Sequence, residues 1–324
     1  MKRKTKQNLF LIAVAIFVIG AILFFVIRDK DESYSSDFQE SDREDTVMYG
    51  GKEYRYNEHL SNYIFMGIDA REPIEQYETR ENIGRADAIF LISYDRVDKT
   101  VKCISIPRDT MTNIRVLTID GTDTGTTREH INMQYAFGDG KDVSCRLMKE
   151  AISNMLYDVP IQGYCSLNMD GIATAVEVLG SVEMVLADDS LEAVNPEYVK
   201  GAKITVTKEN AEQIIRHRDT NVPHSAIART NRQKELMKAV SDCAREKSTQ
   251  DADFIVDMYE SLKPYMVSNI GNDILADLLE AKFDSETGVI DIPGEGVEGE
   301  MHDEYHIDEA SLYELVLQMF YEEV

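Results

Sequence analysis

Four charged side chains bracket an apolar β-pattern in the first third of the chain, and their types suit the handling of a metal ion or an anion. Arg85 and Asp87 precede Ala88–Ile89–Phe90–Leu91–Ile92–Ser93–Tyr94, and Arg108 and Asp109 follow Val101–Lys102–Cys103–Ile104–Ser105–Ile106. Both runs are rich in β-branched or aromatic residues, and Asp95–Arg96–Val97–Asp98–Lys99–Thr100 between them reads as a turn. Paired residue numbers in an antiparallel hairpin sum to a constant. A turn centred between Val97 and Asp98 therefore sets Asp87 opposite Arg108. Charges just outside apolar strands are costly unless they are paired or used.

A third strand, Tyr63–Ile64–Phe65–Met66–Gly67–Ile68, ends directly in Asp69–Ala70–Arg71. If it runs parallel to residues 101–106, Asp69 reaches the same rim, beyond the strand ends where open α/β sheets bind ligands. Two carboxylates, Asp69 and Asp87, would suit Mg²⁺, which takes one or two protein carboxylates and keeps water and substrate oxygens. Guanidiniums suit phosphate through forked hydrogen bonds. The same residues would also serve as a salt-bridge cluster closing the sheet edge. Further along, Arg216 and Arg218 lie two apart and could clamp one anion if the chain is extended there, or form an exposed basic turn. In residues 226–246, helical periodicity puts Arg229, Gln233, Leu236, Val240 and Cys243 on one stripe, with Arg232 nearby. An apolar stripe that begins with an arginine and a glutamine points into a polar cavity or an ion pair.

The elements that must position these groups alternate between strand and helix. Residues 141–157 read as a helix, 164–167 as a strand, 171–179 as a helix closed by Gly180, and 181–187 as a strand. The alternation makes the fold class α/β.

The 324 residues, 43% hydrophobic, suffice for one sizeable core. Residues 9–27 carry no charge and follow Lys2, Arg3, Lys4 and Lys6. That pattern predicts a cytoplasmic N-terminus at residues 1–7, one transmembrane helix at 8–27 and an extracellular remainder. A cleaved signal peptide fits less well, because Arg28–Asp29–Lys30 follows instead of a small-residue cleavage site. Residues 28–58 are expected to be an acidic linker, and 59–324 the domain, with a core at about 62–246 and an acidic extension at 247–324. Residues 251–324 hold 20 acidic and two basic side chains, so −18 of the net charge of −25 sits there. That balance argues against nucleic acid as a partner. Cys103, Cys145, Cys165 and Cys243 lack metal-ligand spacing and fit buried thiols at least as well as disulfides.

Six short segments in order resemble the LytR–CpsA–Psr family of cell-envelope phosphotransferases, over about residues 62–246. They are Gly67–Ile68–Asp69–Ala70–Arg71, Gly84–Arg85–Ala86–Asp87, Ile106–Pro107–Arg108–Asp109–Thr110, Ile131–Asn132, Arg216–His217–Arg218, and Arg229 to Gln233. The resemblance implies one domain with a central mixed β-sheet flanked by helices, and transfer of a glycopolymer from a polyprenyl-pyrophosphate carrier onto peptidoglycan, leaving polyprenyl phosphate. It also implies that Asp69 and Asp87 hold Mg²⁺, that Arg108, Arg216, Arg218, Arg229 and Gln233 grip the pyrophosphate, and that Arg85 and Asp109 support them. Asp109 is the candidate to deprotonate the acceptor hydroxyl. His130 stands where family members commonly have a pyrophosphate-contacting Lys, Ser181 replaces a common Gly, and residues 122–128 look like a short insertion. A non-catalytic lipid-phosphate binder or envelope regulator would keep the arginines without needing the metal carboxylates. A polyprenyl-pyrophosphate hydrolase would use the same site with water as acceptor.

Overall fold

The structure is a computed structural model that describes residues 46–71, 73–76, 83–118, 120–217, 254–271, 281–283, 289–299 and 302–324, with scattered positions in 232–251 and 274–278. The expected membrane span and the first part of the linker lie outside these residues. Among the described residues no helix is long and apolar enough to cross a membrane.

The fold is a mixed α/β domain. Three central strands form an antiparallel meander: β3 (Leu60–Ile68), β4 (Ala86–Asp95) and β5 (Thr100–Ile106). Pairs such as Leu91 with Ile104 and Ile89 with Ile106 carry the register that the turn length predicts. The third strand does not neighbour β5, because β4 lies between them, but β3 and β5 run the same way and end at one rim. Outside β3 lies β8 (Gly163–Asn168), parallel to it, and then β11 (Met266–Ser268), antiparallel to β8. Outside β5 lie β12 (Lys282–Phe283) and β13 (Val289–Asp291), both parallel to it.

Strand β3 is buried along nearly its whole length because both of its faces are covered. Ile64, Met66, Leu91 and Ile104 face a core completed by Cys145, Met148 and Ile152 of α2 (Asp142–Met155) and by Leu312, Val316, Met319 and Phe320 of α6 (Glu309–Phe320). Tyr63, Phe65, Ile92 and Cys103 face the opposite side with Ile270 and Leu278. A separate cluster joins α3 (Met169–Val178), α4 (Lys208–Arg216) and α5 (Phe254–Leu262). It also takes in β9 (Val182–Val185), β10 (Lys203–Val206) and the helical positions Leu236, Val240 and Ala244. Gly180 adopts φ +77°, as a helix-ending glycine does. The expected strand at 181–187 is the shorter β9, and it pairs with β10 outside the central sheet.

One expectation needs correction. Residues 46–56, the latter part of the expected 28–58 linker, are folded instead: β1 (Thr46–Tyr49) and β2 (Lys52–Tyr56) form a hairpin, and β2 pairs with β16 (Tyr321–Glu323) at the far end of the chain. Charged side chains alternate with Tyr54 and Tyr56 there, giving a strand with one partly covered face. Residues 123–130 take in most of the expected insertion at 122–128. They form β7 (Asp123–His130), which is largely exposed and pairs with β6 (Met111–Leu117), whose Thr112 and Ile114 are buried. The C-terminal segment also contributes β14 (Gly294–Glu298) and β15 (Asp303–Ile307), an antiparallel pair.

Leu312, Val316 and Phe320 recur every fourth residue and all are buried, so the acidic C-terminal segment completes the main core. Phe320→Ala should cost about 3–5 kcal/mol of stability. Chemical denaturation measures it, and a loss under about 1 kcal/mol would show that this helix adds little to the core.

Candidate active site at the sheet rim

Arg108 is the centre of the rim. It leaves β5 after Pro107, and its Nη1 donates to Asp87 Oδ1 at 2.7 Å while its Nε donates to Asp109 Oδ1 at 3.2 Å. Burial opposes the guanidinium's charge, but the two carboxylates outweigh it and raise its pKa. The side chains of Arg108 and Asp87 retain 27% and 17% exposure, so the pair is half-buried and still reachable from solvent.

A β-bulge sets the direction of Asp87. Gly67 pairs with Ala88 but Ile68 pairs with Ala86, which leaves Asp87 as the extra residue opposite no partner. Bulges bend a strand and re-aim a side chain at the end of a ladder. Asp69 follows directly on the paired strand, its N–H donating to the Arg85 carbonyl at 2.8 Å. The turn that brings Arg85 there depends on Gly84, at φ +74°, where a Cβ would lie 2.4 Å from the Asp69 carbonyl oxygen. Any side chain at this point would push the two carboxylate-bearing segments apart. Arg85 itself is exposed.

Neighbouring segments hold the Arg108–Asp109 loop from two sides. Asn132 N–H donates to the Arg108 carbonyl at 3.2 Å, and Ile131 N–H to the Thr110 carbonyl at 2.8 Å. Tyr305 N–H, from β15, donates to the Asp109 carbonyl at 2.8 Å, and its hydroxyl donates to the Ile292 carbonyl at 2.7 Å. The acidic C-terminal segment thus buttresses the rim, which no local pattern in the sequence announces. His130 pairs across the ribbon with Met111, its Nδ1 3.1 Å from Glu129 Oε1. Its Nε2 is buried with no hydrogen-bond partner among the described residues, and the His302 ring lies 6.3 Å away.

The next shell of the rim is the N-terminus of α3. Met169 N–H donates to the Ala70 carbonyl at 3.2 Å, and Asn168 caps the helix by accepting from Gly171 N–H at 3.0 Å. A helix N-terminus at this place adds positive potential for an anion. Arg71 forms an ion pair with Glu212 of α4, which ties the end of β3 to the helix that finishes in Arg216. An open cleft of about 370 Å³ lies on α4, lined by Glu209, Glu212, Gln213 and His217.

The structure therefore gathers Asp69, Arg85, Asp87, Arg108, Asp109 and His130 at one rim and joins α4 to it. Arg218, Arg229 and Gln233 lie outside the described residues, as does the side chain of Arg216. Two carboxylates and a guanidinium on a sheet edge can hold a divalent cation against phosphate oxygens. Among the described residues no group of three or more His, Cys, Asp or Glu could hold a metal alone.

The LytR_cpsA_psr family model matches residues 23–319. The chain belongs to the LytR–CpsA–Psr family. Among its relatives are two transferases of Bacillus subtilis (strain 168), each named a polyisoprenyl-teichoic acid–peptidoglycan teichoic acid transferase. TagV is 27% identical over 252 residues, covering 73% of this chain and 57% of TagV. TagT is 28% identical over 218 residues, covering 65% of this chain and 62% of TagT. The chain thus spans somewhat under two thirds of these relatives. In structure, B. subtilis TagV superposes with a TM-score of 0.57 at 24% identity, over 81% of this chain and 96% of that one. A structure of TagT bound to LI-WTA superposes with a TM-score of 0.56 at 20% identity, over 81% of this chain and 90% of that one. These likenesses establish the shared fold of this member of the family.

One carboxyl near Arg232 titrates near neutrality. Burial pushes Glu235 up to about 7, with Asp188 adding to the effect, while the Ala187 N–H and Arg232 act against it. The folded protein thus holds a proton that the unfolded chain gives up near 4.5. Stability from this group is complete below about pH 4.5 and is lost as pH rises through 7. Glu235→Gln should melt higher than the parent at pH 8 and level with it at pH 4, as read by thermal melts across that range.

Proposed function

We propose that this protein is a Mg²⁺-dependent phosphotransferase that moves a glycopolymer from a polyprenyl-pyrophosphate carrier onto peptidoglycan. It works outside the cell, anchored by residues 8–27. The observation that carries the reading is the meeting of Asp69, Asp87, Arg108 and Asp109 at one rim, in a member of a family that includes teichoic acid transferases.

The donor set fits Mg²⁺. Asp69 and Asp87 leave adjacent strands, two carboxylates are what this ion takes from a protein, and water and pyrophosphate oxygens complete its shell. When bound, the ion would neutralise charge on the pyrophosphate oxygens. Arg108 adds a forked donor for the same oxygens and is held in place by Asp87 and Asp109. Arg216, Arg218, Arg229 and Gln233, which the family resemblance assigns to the pyrophosphate, would add further donors for its oxygens, with Arg85 and His130 in support. The acceptor sugar hydroxyl attacks the phosphorus that bears the glycopolymer. A new P–O bond forms, the bridging P–O bond breaks, polyprenyl phosphate leaves, and Asp109 takes the hydroxyl proton. Phosphoryl transfer asks a protein mainly for this positioning and charge neutralisation.

Arg108→Ala should lower transfer about tenfold or more, the loss of a charge-assisted contact made in the transition state, while the domain still folds. Asp69→Ala and Asp87→Ala should remove Mg²⁺-dependent turnover yet retain most lipid binding. Turnover against Mg²⁺ concentration, with melts alongside, decides the metal role; wild-type transfer indifferent to chelator would overturn it. Product released without a peptidoglycan acceptor would instead identify a hydrolase.

The basic leader before residues 9–27 generates a topology test. Protease added to intact, wall-stripped cells should digest the domain. Full protection would contradict the outward orientation.

A further inference from the structure

Arg232 is buried to a degree that no other charged residue among those described matches, with 3% exposure. Its Nε donates to the Ile214 carbonyl at 2.6 Å, and its two Nη atoms donate to Ser190 Oγ and the His217 carbonyl. Ile214 and His217 are at the C-terminal end of α4, where carbonyls lack helical partners and the helix dipole is negative. A buried guanidinium satisfies both conditions. Its rigid fork also reaches acceptors on separate segments at once, which a lysine's single ammonium does less well.

The position of these contacts in the chain gives them meaning. His217 separates Arg216 from Arg218, and it leaves the helix with φ −52° and ψ +127°. Arg232 itself lies between Arg229 and Gln233 in sequence. One buried side chain therefore joins the segment carrying one pair of arginines to the segment carrying the other cluster.

We infer that Arg232 is a positioning residue. It locks residues 214–217 to the segment around residue 232, so that both clusters meet one pyrophosphate without Arg232 touching it. The inference rests on the proposed role of Arg216, Arg218, Arg229 and Gln233. A stabilising cap alone would leave ligand affinity unchanged in folded protein.

The test uses the full chain in nanodiscs, as wild type, Arg232→Met and Arg232→Lys, below each melting temperature. Geranylgeranyl pyrophosphate is the binding probe, and hydrogen exchange is followed in peptides covering residues 214–220 and 229–235. Arg232→Met should weaken binding about tenfold or more, as loss of a charge-assisted lock implies, and Arg232→Lys should recover part of it. Exchange should quicken in those two peptides and not elsewhere. In the transfer assay KM for the lipid donor should rise while kcat stays within about threefold. Wild-type affinity in folded Arg232→Met overturns the inference and leaves the proposed function standing. A wild type that fails to bind the probe overturns the proposed function instead. The exchange data then decide the lock alone, with local quickening supporting it and unchanged exchange refuting it. If Arg232→Met does not fold, Arg232→Lys is read by the same criteria.

Discussion

Arg108 loses much of its water at the end of β5, and a guanidinium in that position persists only where carboxylates answer it. Asp87 and Asp109 do so from two different elements, the bulged start of β4 and the loop after β5. The arrangement constrains everything around it. The bulge must sit between Gly67 and Ile68, Gly84 must carry no side chain, and the loop through Asp109 and Thr110 must be held by its carbonyls. Each requirement is met by backbone geometry, which leaves the charged side chains available to a ligand.

The C-terminal segment gains a structural explanation from the same constraint. Its charge makes it look like a solvated tail, yet β15 donates a backbone hydrogen bond to the Asp109 carbonyl and α6 fills the core beneath the sheet. Strand β16 then closes against β2, so both ends of the described domain meet in one small sheet. Loss of this segment would reach the rim through bonded backbone, not through long-range charge.

The border of the charged rim carries an imidazole. His130 occupies a position beside the Arg108 loop, paired with Met111 and near His302 on the C-terminal hairpin. The ribbon of β6 and β7 carries His130 at its end, with β7 largely exposed and Ile114 of β6 buried.

Local rules decided a good share of this protein before any coordinates. Turn length fixes hairpin register, so the pairing of Asp87 with Arg108 could be read from numbering alone, and apolar periodicity located β3, β4, β5, α2 and α3 to within a few residues. The ordered motifs fixed the family. Tertiary structure alone decided the rest. The bulge at Asp87 arises from a mismatch between paired strands, which neither strand encodes singly. The strands at residues 46–56 were hidden because their partner, β16, lies at the opposite end of the chain. Arg232 sat on a helical pattern that marked it only as a polar neighbour of the stripe. Its duty depends on carbonyls at Ile214 and His217 that sequence distance cannot bring to it. Sequence specifies contacts between near neighbours because their geometry is fixed by bond and turn lengths. Contacts between remote segments exist only after the core has chosen which surfaces meet.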